Sequence, residues 1–455
     1  MKPILLIDFG STYTKVLAVD PDAGRVIGTA DSYTTVTTDV SIGLADALTK
    51  LARQIGTREF SERYACSSAA GGLRMIASGL VPSLTSEAAK RAALGAGAKV
   101  VKTYAYELTY DDTEEIARLA PDILLLCGGT DGGNRACVEH NARMVAQMDY
   151  RCPVVIAGNR AARRACEQAL AGREVIAAGN VMAEFGRLNV EPTQAVIREL
   201  FLKRIIRAKG LSQAAELISG ILMPTPAAVL EALTLLKEDM GELMAVDLGG
   251  ATTDIYSITA GLPTRPNTVL RGLPEPYAKR TVEGDIGMRY SAQGIVDAVG
   301  IEALTEAAGR DAETVRRWLN RIHAEPGVLP AKPEESDVDF ALATLAIELG
   351  LSRHAGTIEQ VYTPMGVAYQ QTGKDLTEIR ALLLTGGALA HSPRVEQMAR
   401  RAMAAPGHMC SLMPRDARVF IDRRYILSAM GILSQNHPQL ARSIMMKEFV
   451  YGDSH

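Results

Sequence analysis

Two copies of one short pattern constrain this chain more than anything else in it: Asp8-Phe9-Gly10-Ser11-Thr12-Tyr13-Thr14-Lys15 near the start and Asp247-Leu248-Gly249-Gly250-Ala251-Thr252-Thr253-Asp254 past the middle. Each ends an apolar run, Ile4 to Ile7 and Leu243 to Val246, and each leads into an alternating run, Lys15 to Val19 and Ile255 to Ile258. The spacing predicts strand, tight Gly/hydroxyl turn, strand, twice over. Such a turn suits a phosphate, because glycine lets backbone N–H groups approach closely and Ser or Thr hydroxyls add donors. An Asp at the end of the first strand of each copy is placed to hold Mg²⁺, usually through water. Two such hairpins facing each other would grip a triphosphate from both sides.

Composition narrows the class further. A net charge of −3 argues against nucleic acid or an anionic membrane as the main partner. Trp318 is the only tryptophan, which leaves few platforms for stacking bases or sugars. The six cysteines, Cys66, Cys127, Cys137, Cys152, Cys166 and Cys410, form no C-x-x-C pair and no metal-ligand spacing. They read as small buried hydrophobes in a reducing cytosol. Asp8 interrupts the first apolar stretch, so that stretch reads as a core strand and not a signal peptide. No run approaches the roughly 20 apolar residues of a membrane span, and the expectation is a cytoplasmic chain without a membrane partner.

Strand-like and helix-like segments alternate along the 455 residues, which indicates an α/β protein of two or three domains. Residues 3–35 read as a three-stranded meander, and 41–55 as a helix. Residues 85–210 carry their own rhythm, with strands near 100–106, 122–127, 154–157 and 174–177 between helical stretches. They are read as an α/β domain inserted into a first lobe made of 1–84 and 211–240, with 241–455 as the second lobe. Residues 291–372 read as mostly helical. Small residues in Ser428-Ala429-Met430-Gly431 permit close helix approach.

One D-x-G-[ST] turn is weak evidence, but five pieces occur here in the order of the actin, sugar kinase and seventy-kilodalton heat-shock chaperone superfamily of ATPases. Asp8–Lys15 resembles the first phosphate loop, Pro224–Leu230 the first interdomain helix, Asp247–Asp254 the second phosphate loop, Leu384–Ala388 the adenosine loop, and Ala429–Gly431 the second interdomain helix. The resemblance implies a two-lobed actin-like, ribonuclease H-like fold that binds ATP with Mg²⁺. It implies that Asp8 and Asp247 orient the metal and its waters. Gly10, Ser11, Thr12, Tyr13, Lys15, Gly249, Gly250, Ala251, Thr252 and Thr253 would surround the phosphates, and Gly386, Gly387 and Ala388 would floor the adenosine. Glu283 and Asp285 match a segment after the second loop of the chaperones, where a ribose contact and a plain surface turn are both open readings.

The chain departs from the chaperone branch where the first interdomain helix begins. An acid there helps position the attacking water, and this chain has Met223, which can neither orient nor deprotonate water. Either Asp254 or Asp247 serves instead, or hydrolysis is slow and ATP acts largely as a conformational ligand.

Over its whole length the chain resembles the MutL/GlmL accessory proteins of adenosylcobalamin-dependent glutamate mutase. The likeness rests on the two loops, on Val282-Glu283-Gly284-Asp285-Ile286-Gly287-Met288-Arg289-Tyr290, and on the insertion after Cys66-Ser67-Ser68-Ala69-Ala70-Gly71-Gly72-Leu73. It implies a chaperone-like reactivating ATPase that works on the mutase subunits and releases damaged cobalamin, with the insertion as the gripping element. The cobalt-ligating pattern Asp-x-His-x-x-Gly is absent, so no cobalamin held through a histidine is expected. A sugar or carboxylate kinase and an actin-like filament former remain alternatives. An iron–sulfur activator would need thiolates that neither loop contains.

Overall fold

The computed structural model describes residues 2–10, 13–33, 40–68, 73–208, 222–364, 366–405 and 410–451. The first apolar run becomes the strand Ile4–Phe9, buried along its whole length, as suits a strand covered on both faces. It pairs antiparallel with Tyr13–Asp20, which pairs antiparallel with Arg25–Tyr33. On its other side it runs parallel to Glu62–Ser67, and that strand runs parallel to Leu222–Pro224.

The second apolar run repeats the arrangement. Leu243–Leu248 pairs antiparallel with Thr253–Ile258, which pairs antiparallel with Ala278–Glu283. On the other side it runs parallel to Ala381–Thr385, followed in parallel by Arg418–Ile421. The short strand Val450–Tyr451 extends this second sheet. The motif is therefore duplicated together with the sheet that carries it.

The chain divides into two compact units, one of Met1–Val229, Gly272–Pro274 and Gly431–Asn436, the other of Leu230–Arg271, Glu275–Met430 and His437–His455. The expected boundary at 240 and 241 moves, because the helix Thr225–Met240 passes from one unit to the other between Val229 and Leu230.

Within the first unit the insertion builds a separate five-stranded sheet. Its order is Lys99–Ala105, Arg74–Gly79, Ile123–Leu126, Val154–Ile156, Val175–Ala177, with every neighbouring pair parallel. The second strand in that order, Arg74–Gly79, lies before residue 85 and directly after Leu73, so the sheet begins where the segment 66–73 ends and not at 85. Side chains alternate across that strand. Met75 and Ala77 join a core on one face with helices Glu87–Gly95 and Glu191–Ala208, while Ile76 joins a core on the other with Tyr110–Leu119, Ala136–Gln147 and Arg163–Ala169. The Gly/Asn turns at the strand ends bind one another. The Asn159 amide donates to the carbonyls of Gly133 and Asn134, and that of Asn180 to Gly129 O and the Asp131 carboxylate.

The second unit packs the helices Ala292–Val299, Ile301–Ala308, Ala312–Ala324, Pro333–His354 and Val395–Met403 with its sheet in one hydrophobic core. The expected helical stretch to residue 372 is corrected here. Thr357–Thr363 and Gly366–Thr372 form an antiparallel hairpin, joined in parallel by Thr268–Arg271. No helix among the described residues is long and apolar enough to cross a membrane.

Candidate functional site

Both hairpins close in the same way. Gly10 N–H donates to Tyr13 O at 3.0 Å, and Gly249 N–H donates to Thr252 O at 3.0 Å. A Cβ on Gly10 would stand 2.6 Å from Tyr13 O, and one on Gly249 would stand 3.1 Å from Thr252 O, so each closing contact needs the missing side chain. Ser11 and Thr12 lie outside the described residues. In the second turn the N–H groups of Gly250, Ala251 and Thr252 donate to no protein acceptor among the described residues. Successive unpaired N–H groups in a turn form a concavity that accepts an oxyanion. A Cβ on Gly250 would meet Arg289 Cβ and the Tyr290 ring at 3.7 Å, an ordinary contact.

The acids stand at the strand ends. Asp8 is buried, and its Oδ1 accepts a 2.7 Å hydrogen bond from the Thr225 hydroxyl at the start of the helix Thr225–Met240. Register puts Asp8, Cys66 and Met223 side by side across three parallel strands. Met223 is buried there, so an apolar side chain fills the row beside the acid. Lys15 faces Asp8 across the hairpin, and Tyr13 is 47% exposed at the turn.

In the second hairpin the residue facing Asp247 is another acid, Asp254. Its counterion arrives from the next strand. Arg280 bonds Asp254 Oδ1 through Nε at 2.8 Å and Nη2 at 2.6 Å, and both side chains are largely buried. Burial opposes the Arg280 charge, but Asp254 and the Tyr256 hydroxyl outweigh it and hold the guanidinium above its ordinary pKa. Burial, and then the Asp254 charge, push the Tyr256 phenol well up. Asp254 is thus committed to an ion pair. Asp247 is met by the Tyr425 hydroxyl at a long 3.4 Å, from a residue at φ +52, a strained backbone for a bulky side chain.

The segment after the second hairpin clasps the turn. Gly250 O accepts from the N–H groups of Arg289 and Tyr290, and Gly249 O from that of Met288. The Arg289 guanidinium is held at 2.8 Å by Asp339, which also accepts the indole N–H of Trp318 at 2.7 Å. The buried Thr253 hydroxyl donates to Ile286 O, which ties the hairpin to the same segment. Glu283 pairs with Arg353 at 2.6 Å, and Asp285 is exposed in the turn that follows. Gly386 sits at φ +106, where a Cβ would lie 2.4 Å from Leu248 O, while Gly387 is exposed with open space around it and Ala388 is half-buried. Thr385, in register with Asp247, donates to Asp422, whose carboxylate also accepts the N–H groups of Ile426 and Leu427.

Sequence reasoning missed Thr225, Arg280, Tyr425, Asp422 and the Trp318–Asp339–Arg289 chain. Arg280 left one local signal, an arginine in an apolar-alternating strand two positions before Val282.

Two sheets that share one five-strand order, each with an acid at the end of its central strand and a glycine-closed turn beside it, define a protein of the actin-like, ribonuclease H-like ATPase fold. The model of the family described as MutL protein matches residues 4–449, and the chain belongs to that family. It is 45% identical over 460 residues to Protein MutL of Clostridium tetanomorphum, across 99% of this chain and 100% of that one. Among solved structures, nucleotide-free acetone carboxylase aligns at 14% identity and a TM-score of 0.43, covering 95% of this chain and 70% of its own. Nucleotide-free diol dehydratase-reactivating factor aligns at 12% and 0.40, covering 96% and 99%. Both likenesses are too loose to carry an argument, and the fold rests on the doubled sheet.

Proposed function

We propose that this protein is an ATP-binding, chaperone-like reactivating factor for adenosylcobalamin-dependent glutamate mutase, which uses ATP binding and slow hydrolysis to release damaged cobalamin from the mutase subunits. The observation that carries the nucleotide reading is the doubled hairpin: two glycine-closed turns, each beside an acid, one with three unpaired N–H groups. Membership of the MutL family supports the choice of client.

The residues present fit a magnesium nucleotide. Asp8 and Asp247 would hold Mg²⁺ through water, and the N–H groups of Gly250, Ala251 and Thr252 would take phosphate oxygens. Gly10, Ser11, Thr12, Tyr13, Lys15 and Gly249 would shape the phosphate cradle, with Thr253 supporting it from behind. Glu283 and Asp285 would lie toward the ribose, and Gly386, Gly387 and Ala388 would floor the base. Bound Mg²⁺ would supply charge neutralisation for the phosphates. Thr225 holds the Asp8 carboxylate in place, and Arg280 balances the charge of Asp254 opposite Asp247.

Slow turnover follows from two features: Met223 is apolar, and Asp254 is engaged by Arg280. Met223 has no group that can take a proton from water, and Asp254 Oδ1 is already taken by Arg280. ATP then acts mainly as a ligand that biases two conformations, and a partner with different affinity for each is driven between them. The insertion, with its own sheet and its own two cores, is the element proposed to meet the mutase. Tyr106, Tyr110 and Phe185 are exposed on it.

The test is recovery of cyanocobalamin-inhibited glutamate mutase by this protein with ATP, Mg²⁺ and adenosylcobalamin. Recovery is expected with the native chain and loss with Asp8→Ala or Asp247→Ala; equal recovery by those variants removes the ATP-coupled reading. Single-turnover hydrolysis by Met223→Glu should be faster than native, and an unchanged rate would show that the missing acid is not the limitation.

A further inference from the structure

Away from both hairpins, the second unit holds a cavity of about 350 Å³ among three helices. Ala307 and Ala308 line it from Ile301–Ala308, Asp337 and Phe340 from Pro333–His354, and Arg394, Gln397, Arg400 and Arg401 from the start and body of Val395–Met403. The volume is at the lower end of the range that takes a small organic ligand, about 300–1,000 Å³. None of Asp247–Asp254 or Gly386–Ala388 is among its walls.

Charge accounting singles out one side chain. Arg394 is spent: its guanidinium donates to Asp337 Oδ1 at 2.8 Å and to Ser336 O at 2.7 Å. Asp337 also takes Arg310 at 2.6 Å, and these two arginines hold its carboxyl below the usual range. Arg400 pairs with Glu396 at 2.6 Å. Arg401 pairs with no carboxylate among the described residues. Its guanidinium lies 5.3 Å from the centroid of the Phe340 ring, while that of Arg394 lies 4.5 Å from the same ring. Phe340 is 5% exposed and therefore a fixed floor. An unspent guanidinium fork above an aromatic floor is matched by a carboxylate or a phosphate, which it binds in two parallel hydrogen bonds. The positive excess at this spot runs against a net charge of −3 for the chain.

We propose that this cavity binds a small organic oxyanion, with its carboxylate or phosphate on Arg401 and its apolar body on Phe340, Ala307 and Ala308. The proposal is independent of the nucleotide reading, because the walls of this site and the hairpins share no residue.

The test is calorimetric titration of the full chain with succinate and, separately, with inorganic phosphate, at constant ionic strength set with sodium chloride. Saturable binding of at least one anion is expected. Arg401→Gln should weaken it at least tenfold, and Arg401→Lys, which keeps the charge without the fork, should fall between. Ala308→Leu, which fills the cavity from the opposite helix without touching a charge, should cause the same loss as Arg401→Gln. Stronger binding of succinate assigns the site to carboxylates, and stronger binding of phosphate to phosphoryl groups. Binding of neither anion overturns the proposal. So does equal affinity in the native and Arg401→Gln chains, and so does binding that is lost in Asp247→Ala and kept in Arg401→Gln.

Discussion

Replacing Arg280 by methionine tests the electrostatic design of the second hairpin. In the native chain Asp247 and Asp254 face each other in register and point to the same side of the sheet. Arg280 reaches Asp254 diagonally from the neighbouring strand, with its side chain 5% exposed and that of Asp254 14% exposed. Methionine keeps most of the packing volume and removes the charge. Two carboxylates about 6 Å apart at an effective dielectric near 20 repel by about 3 kcal/mol. Arg280→Met leaves that repulsion unbalanced, and stranding one partner of a buried pair costs about 3–5 kcal/mol in general. Urea unfolding followed by fluorescence reads this unit directly, because Trp318 is the chain's only tryptophan and lies within the unit's core. Arg280→Met should lower its unfolding free energy by about 3–5 kcal/mol. Arg280→Met with Asp254→Leu, which removes both charges, should return to within about 1 kcal/mol of native. A loss below about 1 kcal/mol in the single variant, or a double variant no better than the single one, would refute the reasoning.

Three further outcomes are expected. Thr225→Val removes the hydrogen bond to the Asp8 carboxylate, worth about 1.5–3 kcal/mol for a charged acceptor, and should raise the Mg²⁺ concentration for half-maximal ATP binding, while Thr225→Ser restores it. Gly431→Ala would put a Cβ 1.7 Å from Ala228 O, a backbone atom that has nowhere to go, so a loss of about 3 kcal/mol or failure to fold is expected in urea unfolding. The buried imidazole of His354, held well below its ordinary pKa by burial and then by the charges of Lys279 and Lys374, stays neutral in the fold. The unfolded chain takes up that proton once pH falls through about 6.5, so stability should drop below that point by up to about 1.4 kcal/mol per pH unit, and His354→Gln should flatten the slope.

Much of the architecture is legible locally. Ile4–Phe9 and Leu243–Leu248 are continuous apolar runs ending at an acid and a glycine, a signal that needs no knowledge of the rest of the chain. Other elements leave weaker traces. Thr357–Thr363 and Gly366–Thr372 show almost no buried face, so their sequence lacks the alternation that marks a half-buried strand. Arg74–Gly79 carries Ala, Ser and Gly in its second half, a composition that reads as turn until the flanking parallel strands are known.

By itself the sequence determined that there are two Gly/hydroxyl hairpins of one pattern and that an α/β unit interrupts the first half. Each of these is written in neighbouring residues, because a tight turn or an apolar run is a property of a few consecutive positions. Only the tertiary structure decided how the two hairpins differ electrostatically. Lys15 faces Asp8 from the adjacent strand, but the cation beside Asp247 and Asp254 comes from Arg280, one strand further on. Thr225 and Trp318 likewise reach their partners only after strands and helices distant in sequence have packed. Ion pairs and buried hydrogen bonds are set by distance in space, and no spacing in the chain encodes that distance before the sheets form.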